Sequence, residues 1–196
     1  MITGREKEHV SAYKDQNQRA ATSDAALDHE QLCKNSPSDD QKKEIAEAFK
    51  VASNFLRNKP KTETEIRNRL EKNSFSPEAI DSVVAQLNEL NWVNDQKFAQ
   101  LWIESRNSFR PRSKRMLVYE LRRRGVSDRN ISESLDQFEE SEAAKSCAMR
   151  YGRKHLELEK IQFQQKTLNY LRTYGFPSEI ARDAAAYAWE ALHDHN

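Results

Sequence analysis

The sequence RSKRMLVYELRRRGVSDRNI, residues 112–131, contains the signals that decide the fold. Ser113 is of the residue type that caps the start of a helix, and Gly125 suits the left-handed conformation in which many helices end. If Gly125 is the first residue beyond the helix, Leu121 and Val126 occupy the two positions that touch in a Schellman motif. The stretch therefore predicts a basic helix, a glycine stop and the start of a second helix.

This helix stop occurs three times along the chain. Its other copies are Leu70, Ser74 and Phe75 upstream, and Leu171, Gly175 and Phe176 downstream. The leucines are separated by 51 and 50 residues. Self-similarity at a nearly constant period is the signature of a repeat protein. We therefore predict tandem repeats, each with a helix before this helix–turn–helix pair.

The composition indicates an all-α fold. Charged residues make up 32% of the chain and hydrophobic residues 37%, with 4 glycines and 5 prolines in 196 residues. No long alternating run of Val, Ile and Thr predicts a strand. A three-helix unit of this size buries little apolar surface alone, so neighbouring units must stack. We expect three three-helix repeats that form an elongated curved rod.

Apolar residues at helical spacing set the expected domain boundaries. We predict a flexible polar tail at residues 1–41, followed by repeats at 42–93, 94–141 and 142–196. The N-terminus has no apolar signal segment, and no membrane-spanning run is present. Two cysteines, Cys33 and Cys147, lie far apart in the sequence. These features predict a cytoplasmic monomer with reduced thiols and no membrane association.

Charge is segregated in the middle of the chain. Residues 95–129 hold ten Lys/Arg and four Asp/Glu, a net charge of +6, whereas residues 130–142 carry −5. The basic segment predicts a binding patch for phosphates or for an acidic protein surface. Its candidate residues are Arg106, Arg110, Arg112, Lys114, Arg115, Arg122, Arg123 and Arg124.

The alternative interpretation of these cations is a solvated helix face. Arg122, Arg123 and Arg124 would then stabilise the helix C-terminus through the helix dipole. For the segment 106–112, which we expect to be a connecting loop, no packing role is evident from the sequence.

Signatures of enzymes and of metal sites are absent from the sequence. No glycine-rich phosphate loop is present, and no histidine pairs with a cysteine at zinc spacing. Most aromatic residues fall on core-facing stripes, whereas Phe109, Tyr119 and Tyr174 do not. We therefore predict a binding protein with no catalytic residues, no cofactor and no metal.

Residues 62–106, TETEIRNRLEKNSFSPEAIDSVVAQLNELNWVNDQKFAQLWIESR, resemble the RecX regulatory proteins. The family pattern joins a capped helix, a Gly-Phe turn and a helix ending in Leu-Gly-Tyr to a helix with Phe-Ala and Trp or Tyr. The continuation at residues 111–131 also matches, and the resemblance covers about residues 42–192. Ser74 and Asn91 replace the usual glycines, and Asn94 replaces the first aspartate of the family pattern.

The resemblance implies a specific function. RecX proteins consist of tandem three-helix repeats and bind in the groove of the RecA–single-stranded DNA filament, where they bridge adjacent subunits. They inhibit the ATPase, strand exchange and co-protease activities of RecA, and so restrain homologous recombination, DNA repair and the SOS response. The matched positions include Arg106, Pro111 and Gly125. The wider arginine patch follows from charge alone, and weak direct contact with DNA is compatible with it.

Other classes of function stay open from the sequence. A DNA-binding protein of the helix-turn-helix type, acting without RecA, would present Arg122, Arg123 and Arg124 to the DNA backbone. Its affinity for naked DNA would fall steeply with salt. A helical scaffold for an unrelated acidic protein would need neither DNA nor RecA, and an enzyme would show turnover by the purified chain.

Overall fold

The computed structural model describes residues 38–57 and 59–193, and every regular element in those residues is an α-helix. They occur in three groups of three, which confirms the all-α class and the three-helix repeats. The helices of the described part are α1 (Asp39–Leu56), α2 (Glu63–Glu71), α3 (Pro77–Glu89), α4 (Asp95–Phe109), α5 (Lys114–Arg123), α6 (Asp128–Ser134), α7 (Glu140–Gly152), α8 (Lys160–Thr173) and α9 (Ser178–His193).

The three predicted helix stops have the same backbone geometry. In each, an N–H just beyond the stop donates to a leucine carbonyl oxygen inside the helix, as in a Schellman motif. The three bonds are Phe75 to Leu70 at 3.4 Å, Val126 to Leu121 at 3.2 Å and Phe176 to Leu171 at 3.3 Å. The predicted register of the repeat is therefore confirmed.

All three stops place a residue at positive φ. Gly125 and Gly175 have φ of 83° and 87°, and Ser74 has φ of 62°. Asn91, which follows α3, also has a positive φ of 53°. Ser74 and Asn91 thus adopt the left-handed conformation at positions where the family pattern has glycine. Because both residues have a Cβ, this conformation costs them conformational energy.

Side-chain caps begin the middle helices of the first two repeats. The hydroxyl of Ser113 accepts a hydrogen bond from the N–H of Met116 at 3.2 Å. Thr62 and Glu65 form the predicted capping box at the start of α2. The third repeat differs, because Glu159 precedes α8 without a side-chain cap.

Several boundaries differ from those expected from the sequence. Helix α1 begins at Asp39 behind a capping box on Ser38, so residues 39–41 are helical rather than part of the predicted tail. The remainder of that tail, residues 1–37, lies outside the described residues. Helix α7 begins at Glu140, which places the expected boundary at 141/142 inside its first turn.

The described part of the chain divides into two compact units, the first ending at Phe98 and the second beginning at Ala99. In the first unit, the predicted apolar stripes of α1, α2 and α3 form one core. Its fully or nearly fully buried members are Ala48, Ala52, Ile66, Leu70, Ile80, Val83, Val84, Leu87 and Val93. Asp95 contributes to this unit by accepting the N–H of Glu63 at 2.9 Å.

The second unit contains the rest of α4 and the helices α5 to α9. Around α7, α8 and α9, a core of small residues surrounds the buried Phe163 and Leu171. Leu117 and Leu121 of α5 are also completely buried. Arg150 of α7 donates to the carbonyl oxygens of Ser108 and Phe109 at the end of α4. No helix in the described ranges is both long and apolar enough to cross a bilayer.

Candidate functional site

Glu120 organises the basic segment of the second unit. Its carboxylate accepts a hydrogen bond of 2.7 Å from Nε of Arg106 and one of 2.9 Å from the indole N–H of Trp102. Its other oxygen lies 3.7 Å from Nε of Arg112, an ion pair too long for a hydrogen bond. The only acidic residue of α5 therefore binds groups from α4 and from the α4–α5 connection.

Aromatic rings hold the same arginines in place. The guanidinium groups of Arg106 and Arg124 lie 4.2 and 4.1 Å from the centre of the Trp102 ring. Arg112 lies 4.5 Å from the ring centre of Tyr174, the residue directly after α8. Stacking of guanidinium on an aromatic face is favourable, especially where water is partly excluded.

These contacts correct one inference from the sequence. Helix α4 continues to Phe109, so Arg106 is helical and not in a loop. The side chains of Arg106 and Arg112 are only 28% and 24% exposed, and both have clear packing partners. We name Arg106, Arg112 and Arg124, together with Trp102, Glu120 and Tyr174, the arginine–aromatic cluster.

The other predicted cations point to solvent. Arg110, Lys114, Arg115, Arg122 and Arg123 are all exposed. Arg122 forms an ion pair of 2.6 Å with Asp128, but both side chains are more than half exposed and such pairs add little stability. No ion pair involves the side chains of Arg110, Arg115 or Arg123 within the described ranges.

The two sides of helix α5 differ in character. Its inner side carries Leu117, Leu121 and the inward-bonded Glu120. Its outer side carries Arg115, Tyr119, Arg122 and Arg123, at spacings of three and four residues that place them on neighbouring turns. We call these four residues the outer face of α5. No acidic residue of α5 lies on the outer face, and Asp128 of α6 pairs with only one of its three arginines, so this face can attract an anion.

The acidic segment that follows lines a groove in the same unit. The groove has a volume of about 800 Å³ and lies along α4, the end of α6 and the start of α7. Its lining includes no lysine or arginine, and its carboxylates are Glu104, Glu133, Asp136, Glu139 and Glu142. Two of them are paired with outside bases, Glu133 with Arg129 and Glu142 with Lys145.

Nothing in the described part of the chain suggests metal or thiol chemistry. No group of three or more His, Cys, Asp or Glu among those residues could hold a metal ion. Cys147 lies in the α7–α9 core, where burial raises the pKa of its thiol to about 11. The thiol is therefore protonated at neutral pH, which is typical of a packing residue.

Three functional candidates were not selected from the sequence. Trp102 and Glu120 hold the arginines, and Tyr119 lies exposed in the middle of the outer face. The four-residue spacing of Trp102 and Arg106 was a visible signal for the stacked pair, since such residues adjoin on a helix. A single acid in a basic helix was the corresponding signal for Glu120.

Comparisons with known proteins agree with this architecture. Two family models match the chain: the first three-helix domain of RecX over residues 48–87, and the second over residues 94–135. A crystal structure of RecX from Lactobacillus salivarius superposes with a TM-score of 0.65 at 17% identity, covering 75% of this chain and 97% of that one. A second crystal structure, of regulatory protein RecX, gives 0.59 at 21% identity, with 76% and 78% coverage.

Relatives found by sequence similarity are also named regulatory protein RecX. A regulatory protein RecX from Listeria monocytogenes is 29% identical over 76% of this chain and 56% of its own length. Another from Lactobacillus johnsonii is 30% identical over 68% of this chain and 50% of its own length. The chain therefore spans about half of the length of these relatives.

Proposed function

The chain belongs to the RecX family of regulatory proteins, and from this premise we propose that it is a negative regulator of RecA in the cytoplasm. It binds in the groove of the RecA–single-stranded DNA filament and inhibits ATP hydrolysis, strand exchange and co-protease activity. Homologous recombination, DNA repair and the SOS response are restrained as a result.

The observation that carries this proposal is the division of the basic segment in the second unit. The arginine–aromatic cluster holds Arg106, Arg112 and Arg124 in fixed positions. Around it, Arg110, Arg115 and Arg123 keep their charges available to a partner. A filament of RecA on DNA presents phosphates, which are the anions that arginine binds best.

The two groups of arginines have different roles in this proposal. The clustered arginines contribute to the positive potential but act mainly by holding α4, α5 and the end of α8 together. The exposed cations, with Lys114 and Arg122, make the contacts. The exposed Arg122–Asp128 pair can exchange for a phosphate contact at little cost, because its net stabilisation is small.

The test is the single-stranded-DNA-dependent ATPase of RecA, with this protein titrated below the concentration of RecA. We expect inhibition at these ratios. The triple variant Arg110→Ala, Arg115→Ala, Arg123→Ala should require about tenfold more protein for the same inhibition. The reason is that three exposed charge pairs between the protein and the filament are lost.

A matched control removes the same charge from another surface of the same unit. Lys160, Lys166 and Arg172 are exposed residues of α8, and their triple alanine variant should inhibit as the unchanged chain does. No inhibition by the unchanged chain, together with salt-sensitive binding to naked DNA, would favour the helix-turn-helix alternative. Equal loss in both triple variants would mean that overall charge, and not this site, matters.

A further inference from the structure

Tyr119 is the feature of the outer face of α5 that charge alone does not explain. The residue is 58% exposed. It makes no hydrogen bond or ring contact with another described residue. A single exposed ring is ordinary on a protein surface, so its meaning depends on its neighbours.

The neighbours of Tyr119 are cationic. Arg115 lies one turn before it, and Arg122 and Arg123 lie one turn after it, within the distance at which helical side chains adjoin. Glu120, the only acid of α5, points to the other side and is occupied by Arg106 and Trp102. The ring is therefore flanked by three arginines, of which Arg122 pairs with Asp128 of α6, while Arg115 and Arg123 form no ion pair with the described residues.

We propose that the outer face of α5 binds single-stranded nucleic acid, with Tyr119 stacking on an unpaired base while Arg115, Arg122 and Arg123 contact the adjacent phosphates. A basic surface with an exposed aromatic ring is the arrangement by which proteins bind single strands without reading their sequence. An apolar protein-docking surface would need further exposed hydrophobic side chains on α5, and the other exposed large hydrophobic residues lie elsewhere.

The inference rests on the proposed function in one respect: the single strand that α5 binds would be the DNA strand inside the RecA filament. It makes a distinct claim, since the proposed function requires only that the filament be bound. The strand contact would place α5 against DNA and not solely against RecA protein.

The experiment measures binding of a fluorescent oligothymidylate, as single strand and as duplex with oligoadenylate, across a range of salt concentrations. Tyr119→Ala should weaken single-strand binding about tenfold at every salt concentration, because stacking is not an ionic interaction. Tyr119→Phe should retain the affinity, since the ring is preserved. Duplex binding should be unchanged in both variants, because paired bases cannot stack on the ring.

Arg123→Ala provides the contrasting control. Its affinity should fall for both single strand and duplex, and the slope of log affinity against log salt for the single strand should become shallower by about 0.7. A decrease in slope with Tyr119→Ala would mean that the change acts through charge and would overturn the stacking assignment.

The RecA ATPase assay separates this inference from the proposed function. Normal inhibition by Tyr119→Ala, with unchanged single-strand binding, would overturn the inference and leave the proposed function intact. Loss of inhibition with unchanged strand binding would mean that α5 contacts RecA protein, which also overturns it. Tyrosine-dependent strand binding by a chain that never inhibits RecA would support the inference and contradict the proposed function.

Discussion

The backbone N–H of Ser113 donates a hydrogen bond of 3.3 Å to the carbonyl oxygen of Tyr174. This bond joins the start of α5 to the end of α8, and Gly175 follows immediately. A Cβ on Gly175 would lie 2.5 Å from Cγ of Met116 and 2.6 Å from Oγ of Ser113. The second and third repeats therefore meet at a position where only glycine fits.

Gly175→Ala should destabilise the second unit by more than about 1 kcal/mol, because the added methyl meets Ser113 and the residue has a positive φ. Chemical denaturation followed by circular dichroism measures the change. The control is Ser132→Gly at an exposed position of α6, and its change in the free energy of unfolding gives the ordinary cost of a backbone change. A control at Ala185 would not serve, because that residue is buried. A midpoint equal to that of the unchanged chain would contradict the close contact.

Glu120→Gln should destabilise the chain by about 1–2 kcal/mol, because it removes the charge that binds Arg106 and Arg112 at a position only 17% exposed. The matched control is Glu133→Gln, which removes a carboxylate from the exposed pair with Arg129. This control should change the free energy of unfolding by less than about 0.5 kcal/mol. Equal effects in the two variants would mean that the cluster has no special energetic role.

Ser74→Gly should stabilise the first unit by about 0.5–1 kcal/mol, since it relieves a positive φ of 62°. Glycine also raises the entropy of the unfolded chain, and so the gain is smaller than the strain itself. The comparison is Ala85→Gly on the exposed side of α3, which should destabilise by about 1 kcal/mol. Loss of stability in both variants would contradict the strain at Ser74.

Leu121→Ala should destabilise the second unit by about 2–5 kcal/mol, because Leu121 is completely buried and its carbonyl oxygen accepts the bond that closes the helix stop. Tyr119→Ala, two residues earlier and exposed, should change stability by less than about 0.5 kcal/mol. Thermal unfolding of both variants tests the inner and outer sides of α5 directly. An unshifted midpoint for Leu121→Ala would mean that the register is wrong.

Cys147 should react slowly with thiol reagents at pH 8 in a Cys33→Ser variant, because burial raises its pKa to about 11. The folded pKa lies above the unfolded value, so this thiol stabilises the fold at low pH and loses that contribution as pH rises toward 11. Labelling with and without denaturant, and unfolding at pH 8 and 10.5, measure both effects. Rapid labelling of the folded chain would contradict the burial.

Much of the fold could be predicted because its signals are local. The leucine, the residue at positive φ and the apolar residue after it lie within six positions of one another, and each helix stop depends on little else. The capping box of Thr62 and Glu65 is equally local. The start of α1 at Asp39 was missed although the capping box of Ser38 and Gln41 is also local. The extension of α4 to Phe109 was not predicted, because Ser105, Asn107 and Ser108 are weak helix formers.

The candidate site could be predicted only in part. Charge counting identified the basic segment, but it treated Arg106, Arg110 and Arg112 as equivalent. The structure separates them, because Glu120 and Tyr174 hold two of the three and leave Arg110 exposed. The sequence placed Tyr119 off the core-facing stripes but did not select it as a contact residue, because a single aromatic residue among arginines does not by itself indicate a binding role.

The sequence by itself determined the helices, their stops and the three-fold repetition, because caps, apolar spacing and left-handed stops act within one or two turns of chain. Only the tertiary structure decided which cations are held and which are available. That choice depends on residues far apart in the sequence, such as Arg112 and Tyr174, which meet only when α8 ends beside the start of α5. Contacts of that kind follow from packing, and packing is a property of the whole unit.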